Sequence, residues 1–105
     1  MYALAVILKA LIKMAQVVVT IKIMPASPET DLISIEKLAK ELIIKFSGSK
    51  DIRAAQEPIA FGLKALKIIF IMDESKGSPD SLEESIRSIE GVNSVETVDV
   101  RRAIG

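Results

Sequence analysis

Four stretches of this chain carry the hydrophobic pattern of β-strands, and two carry that of amphipathic helices. In residues 16–24, valines and isoleucines alternate with polar side chains, which predicts a strand with one buried face. The other predicted strands are residues 52–59, 63–72 and 92–100. The helical patterns lie between the first and second strands and between the third and fourth.

The first predicted helix carries apolar residues at helical spacing from Leu32 to Phe46. Ser27 followed by Pro28 predicts its beginning, because serine caps a helix and proline is tolerated at the first helical position. Gly48 lies where the pattern stops, and glycine is typical of a helix end.

The second predicted helix has its apolar stripe between Leu82 and Ile89. Ser78 predicts its N-terminal cap and Gly91 its C-terminal cap. Glu83 and Arg87 are four residues apart, so we expect them to form a surface ion pair.

The order strand, helix, strand, strand, helix, strand predicts an α+β fold: a ferredoxin-like sandwich whose four-stranded antiparallel sheet has both helices on one face. Pro58 marks residues 52–59 as an edge strand, because proline donates no hydrogen bond to a ladder. The nearly all-apolar strand 63–72 fits a central position. The alternation of the last strand slips around Glu96 and Thr97, which predicts a bulge. This fold serves many functions and cannot name one.

Residues 1–13 differ from the rest: the run from Tyr2 to Ile12 is apolar except for Lys9. It is shorter than the roughly 20 residues that span a bilayer, and it lacks the features of a signal peptide. Two interpretations stay open. Either translation begins at Met14, or the extension covers an apolar surface of its own chain or of a second copy. We therefore predict a domain over residues 14–105 and an extension over residues 1–13.

The composition argues against catalysis and nucleic-acid recognition. The chain has no cysteine and no histidine, so a thiolate metal site, a cysteine nucleophile and a histidine base are all excluded. Fourteen basic residues balance fourteen acidic ones, and aromatic residues make up 4% of the chain. Neither a strong positive field nor a base-stacking surface is expected. We predict no catalytic residue, no metal site and no cofactor.

One continuous motif indicates a function for the chain. The run Glu57-Pro-Ile-Ala-Phe-Gly-Leu-Lys-Ala-Leu-Lys67 resembles the signature of the archaeal translation elongation factor 1-beta family. The segments 89–92 and 98–102 add to the resemblance, which covers the chain from about Met14 onward. Members of that family are cytoplasmic guanine nucleotide exchange factors that bind the GTPase elongation factor 1-alpha and promote replacement of its GDP by GTP. The resemblance implies the same partner here, with no bond chemistry, no direct nucleic-acid contact and no membrane.

The resemblance also implies partner-binding residues. In eukaryotic relatives the aromatic residue matching Phe61 enters a pocket on the GTPase, from a corner that includes the glycine matching Gly62. The pattern alone favours the alternative that Phe61 packs on its own sheet, because most phenylalanines are buried; with the resemblance, both interpretations stay open. Pro58 and Lys64 flank the corner. Lys64 and Lys67 are three apart on a strand and therefore face opposite sides, so only one of them, preferably Lys64, can share the partner's face.

The C-terminus departs from the eukaryotic pattern. There, a lysine next to the last residue reaches the Mg²⁺ and phosphate region of the GTPase, whereas the matching position here is Gly105. Arg101 and Arg102 are the nearest basic residues. Three interpretations stay open: the arginines substitute for that lysine, insertion of the backbone alone suffices for exchange, or the arginines form a frayed terminal pair of charges.

Three other functions fit the predicted topology. An RNA-binding domain would read bases with aromatics on its central strands, which offer only Phe70. An acylphosphatase-like enzyme would need an anion-binding loop after the first strand, where Pro25-Ala-Ser-Pro28 has few free N–H groups. A regulatory module that forms homo-oligomers through its sheet, or through residues 1–13, is the third alternative.

Overall fold

The computed structural model describes residues 16–102, so the predicted extension and the last three residues lie outside the described part. The elements are β1 (Gln16–Pro25), α1 (Leu32–Ser47), β2 (Arg53–Pro58), β3 (Lys64–Asp73), α2 (Asp80–Arg87) and β4 (Val92–Arg102).

The four strands form one sheet in the order β2-β3-β1-β4, with every neighbouring pair antiparallel. β3 and β1 are therefore central, and β2 and β4 are the edges. Each helix connects two parallel strands that are separated by a third, which is the ferredoxin-like arrangement. The predicted fold class and the edge position of the strand ending at Pro58 are confirmed.

The core lies between the two helices and one face of the sheet. Alternate residues of β1 (Val17, Val19, Ile21, Ile23) and of β3 (Leu66, Ile68, Phe70, Met72) pack there with Ile35, Ala39 and Ile43 of α1 and Leu82 and Ile86 of α2. Burial of each large apolar side chain contributes about 1.5–3 kcal/mol. The opposite side of the sheet, called the open face below, carries the other alternate residues of each strand.

Helix α1 begins four residues later than the predicted Ser27–Pro28 start. Asp31 is its N-cap, with Oδ1 accepting hydrogen bonds from the backbone N–H groups of Ile33 (3.1 Å) and Ser34 (3.4 Å). Ser27 instead forms a turn with Thr30, whose N–H donates to the Ser27 carbonyl at 3.2 Å. The prediction was wrong because an aspartate lies four residues beyond the serine, and its carboxylate caps the helix. At the other end, Gly48 has a positive φ of 69° and ends the helix as predicted.

Helix α2 ends at Arg87, earlier than its predicted cap at Gly91. Gly91 has a φ of 93° and lies in the turn that leads into β4. Its carbonyl accepts a 2.8 Å hydrogen bond from the Ala26 N–H, and a Cβ built on it would lie 2.9 Å from the Thr30 methyl carbon. The glycine is therefore needed for close approach between two turns rather than for capping. The N-terminal cap position is Pro79 and not the predicted Ser78, although the Ser78 hydroxyl oxygen accepts a 3.3 Å hydrogen bond from the N–H of Asp80, the first residue of the helix.

The predicted bulge in β4 is confirmed. Thr20 pairs with Asp99 while the next β1 residue, Ile21, pairs with Thr97, so Val98 is an extra residue on β4. Glu83 of α2 does not make the predicted contact with Arg87; its carboxylate accepts hydrogen bonds from Thr97 instead.

Candidate functional site

A sharp corner joins β2 to β3 and presents Phe61 to solvent. Residues Ala60–Gly62 form one 3₁₀ turn. The corner is closed by two backbone hydrogen bonds, from the Ile59 N–H to the Leu63 carbonyl (2.8 Å) and from the Leu63 N–H to the Ala60 carbonyl (3.3 Å). The Phe61 side chain is 94% exposed. The alternative in which it packs on its own sheet is therefore wrong.

The backbone at the corner is strained. Phe61 has φ 64° and ψ 30°, the left-handed conformation, and is the one non-glycine residue with a positive φ in residues 16–102. Gly62 follows with φ 74°, a conformation that glycine adopts without steric cost. A bulky residue in this region costs about 1 kcal/mol or more. Strain of this kind is typical of functional sites, where it holds a side chain in a defined direction.

A shallow groove runs beside the corner. One wall comes from Gln56, Gly62 and Lys64, and the other from residues 25–33. Ile33 lines it and is 74% exposed, although its neighbour Leu32 is buried in the core. Ile33 is not among the residues predicted for the site, although its place next to the apolar stripe of α1, and not in it, is a signal of an exposed isoleucine.

The two lysines of β3 lie on opposite faces, as predicted. Lys64 pairs with Pro58 on the helix side of the sheet and borders the groove. Lys67 lies on the open face, where its Nζ is 2.9 Å from a Glu57 carboxylate oxygen. The hydrogen bond from Lys67, then its charge and that of Lys22, lower the pKa of Glu57 below its ordinary value. Lys67 is thus held in a surface ion pair, while Lys64 is the lysine beside the corner.

The two arginines lie at the other end of the sheet. Arg101 pairs with Val18 and Arg102 with Val17 at the start of β1, whereas the start of β3 lies next to the end of β1. About eight residues of β1 separate the two places, which is roughly 26 Å. The predicted residues therefore form two clusters: the corner cluster (Pro58, Phe61, Gly62, Lys64) and the arginine cluster (Arg101, Arg102).

Both arginines are in ion pairs. Arg101 Nε is 2.9 Å from Asp99, and an Arg102 guanidinium nitrogen is 3.1 Å from Glu74. Arg102 is therefore linked to the turn that follows β3, and this ion pair argues against a frayed terminal charge. Gly105, which matches the lysine position of eukaryotic relatives, lies outside the described residues.

The described residues were also compared with the features that an RNA-binding surface, a metal site or a membrane span would require. Phe70, the aromatic on the central strands, is fully buried on the helix side of the sheet. Within residues 16–102 no three His, Cys, Asp or Glu side chains come together as a metal site would require. Over the same residues no helix is long and apolar enough to cross a bilayer. Self-association through the sheet stays a prediction.

Comparisons with known proteins agree with the motif. The profile of the EF-1 guanine nucleotide exchange domain matches residues 18–103. Elongation factor 1-beta of Methanothermobacter thermautotrophicus is 43% identical over 89 residues, which are 85% of this chain and 98% of that protein. Elongation factor 1-beta of Metallosphaera sedula is 47% identical over 91 residues, covering 85% of this chain and 97% of that protein.

Among solved structures, a Bacillus cereus protein described as an antibiotic biosynthesis monooxygenase is similar with a TM-score of 0.51 and 18% identity, covering 87% of this chain and 95% of that one. At this identity the likeness concerns the fold alone. The family profile, in contrast, covers both the corner and the arginines. The chain belongs to the family of EF-1 guanine nucleotide exchange domains, which act in translation elongation.

Proposed function

We propose that this chain binds elongation factor 1-alpha through the Phe61 corner and thereby promotes replacement of its GDP by GTP. The observation that carries the proposal is the conformation of Phe61: an almost fully exposed ring on a left-handed residue. Large aromatic side chains are frequent energetic anchors of protein interfaces. Because the backbone of the corner already directs the ring outward, binding requires no rearrangement of the corner itself.

Exchange of this kind requires binding alone. A GTPase holds its nucleotide through a phosphate-cradling loop and Mg²⁺. If the factor binds the empty GTPase more tightly than the GDP-loaded one, GDP and the factor weaken each other's binding by the same ratio. The proposed factor therefore makes and breaks no covalent bond. As the resemblance to the family implies, we place its action in the cytoplasm.

The distance between the two clusters sets the minimum length of an interface that includes both. A partner that contacts Phe61 and the arginines together must extend over roughly 26 Å of this protein. We assign the corner cluster the role of apolar anchor. The arginine cluster supplies two guanidinium groups that can exchange their present partners, Asp99 and Glu74, for a phosphate or carboxylate of the GTPase. Lys64 and Ile33 widen the contact at the corner.

Release of a fluorescent GDP analogue from elongation factor 1-alpha tests the proposal. We expect the rate of release, with excess unlabelled nucleotide present, to rise with the concentration of this protein. Phe61→Ala loses most of the acceleration. Ile44→Ala, which truncates an exposed isoleucine on α1, keeps it. An unchanged release rate with the wild-type protein would contradict the exchange function, and full acceleration by Phe61→Ala would contradict the anchor.

A further inference from the structure

The bulge in β4 decides which way the arginines point. Before the bulge, Thr97 pairs with Ile21 on the helix side of the sheet. Beyond it, Val98 has no partner on β1 and Asp99 pairs with Thr20. Because side chains alternate along a strand, one extra residue moves every later side chain to the opposite face. Arg101 consequently lies on the open face, opposite Val18, and Arg102 on the helix side, opposite Val17.

A register without the bulge would reverse this arrangement. With Ile21 and Thr97 still paired, Arg101 would come opposite Val17 on the helix side. Arg102 would come opposite Gln16 on the open face instead of opposite Val17 on the helix side. The difference between the two registers is a shift by one residue. The shift would also bring Asp99 opposite Val19 on the helix side, so the hydrophobic pattern favours the bulged register, and a contact at the bulge itself adds directly to that preference.

Glu83 makes such a contact. One of its carboxylate oxygens accepts both the Thr97 backbone N–H, at 2.9 Å, and the Thr97 hydroxyl, at 2.6 Å. Both residues are half-buried, between α2 and the strand that it covers. Hydrogen bonds to a charged acceptor are stronger than those between neutral groups, and here they hold the N–H of the residue that directly precedes the extra one.

We propose that Glu83 is a positioning residue for nucleotide exchange: by holding Thr97 at the bulge, it sets the β4 register that places Arg102 on the helix side, the side of Lys64, for contact with the GTPase, and Arg101 on the open face. The inference rests on the proposed function, because it gives the arginines a role in that interface. Glu83 itself touches neither nucleotide nor partner and acts through the strand.

The first test needs no partner. Cross-strand nuclear Overhauser effects between Thr20 and residues 98–99, together with amide hydrogen exchange along β4, report the register in the isolated protein. We expect Glu83→Ala to speed exchange of the Thr97 amide about tenfold or more and to weaken the Thr20–Asp99 contact. Glu83→Gln keeps an oxygen acceptor and preserves both. Glu84→Ala, on the next residue of α2, is the matched control. Unchanged protection and register in Glu83→Ala overturn the proposal, whatever the exchange assay shows.

The second test separates positioning from general stability. Acceleration of GDP release is measured for Glu83→Ala in the wild-type background and in the Arg101→Ala/Arg102→Ala background. Residues that act through one another give non-additive effects. We therefore expect Glu83→Ala to lower the acceleration about fivefold alone and to cost nothing further without the arginines. Equal losses in both backgrounds overturn the proposal.

Thr97→Val keeps the test decisive if Glu83→Ala does not fold. It removes the hydroxyl and leaves the N–H to bind Glu83, so we expect a smaller loss of the same kind in both measurements. No change in either would contradict the role of this contact. If the wild-type protein shows no acceleration at all, the proposed function fails, while the register experiment still decides what Glu83 does for β4.

Discussion

Truncation of Phe61 should separate binding from folding. The ring is 94% exposed, so Phe61→Ala removes almost no contact within the free protein. Alanine also bears the same steric cost in the left-handed conformation. The free energy of unfolding should therefore change by less than about 0.5 kcal/mol, as is usual for surface substitutions. In the complex, the ring buries about 100 Å² more apolar area than alanine would, worth about 2.5 kcal/mol at 25 cal/mol per Å².

That energy corresponds to a roughly 60-fold weaker affinity for the GTPase. Calorimetric titration of nucleotide-free elongation factor 1-alpha measures it, and denaturant unfolding of the free protein measures stability. Phe61→Gly gives a second check, because glycine relieves the backbone strain: it should bind as poorly as alanine yet unfold with up to about 1 kcal/mol greater free energy. A loss of stability above 1 kcal/mol in Phe61→Ala, or an unchanged affinity, would refute the reasoning.

Three further predictions concern the scaffold. The pKa of Glu57 is lowered in the folded state by Lys67, so its contribution to stability is present above the ordinary carboxyl pKa and is lost as the pH falls through the lowered value. Unfolding measured from pH 6 to 2 should therefore show a shallower acid slope for Glu57→Gln than for the wild type; equal slopes would count against the ion pair. Gly91→Ala should lower the free energy of unfolding by about 1–3 kcal/mol, because its φ is 93° and the new methyl group meets a threonine; wild-type stability would show that the turn adapts. Asp31→Ala should lower the melting temperature more than Ser27→Ala does, since Asp31 is the cap of α1. A larger effect of Ser27→Ala would instead support a helix that begins at Ser27.

The fold could be predicted from the sequence because each element has its own hydrophobic period. The first strand alternates, the third is nearly all apolar as a central strand should be, both helices repeat apolar residues every three or four positions, and the edge strand ends in proline. Helix termini were predicted less well. Ser27 and Asp31 are both good caps, and the local sequence does not show that Ser27 is already used in a turn. Gly91 similarly serves packing between two turns that are distant in sequence.

The site was predicted from family resemblance, since an exposed and a buried phenylalanine have the same local pattern. Phe61 is exposed because its backbone is left-handed and lies within a hydrogen-bonded corner. The contact of Glu83 with Thr97 could not be predicted, because the spacing on α2 favours an ion pair with Arg87. The β4 bulge provides a free N–H and a hydroxyl, and the carboxylate binds these instead.

The central claim is that this protein and GDP weaken each other's binding to elongation factor 1-alpha. Its most direct test is to measure four dissociation constants: this protein with empty and with GDP-loaded GTPase, and GDP with and without this protein. Thermodynamic linkage predicts that the two ratios are equal, and we expect them to be about tenfold or more. Equal affinity of this protein for the empty and the GDP-loaded GTPase would contradict the account.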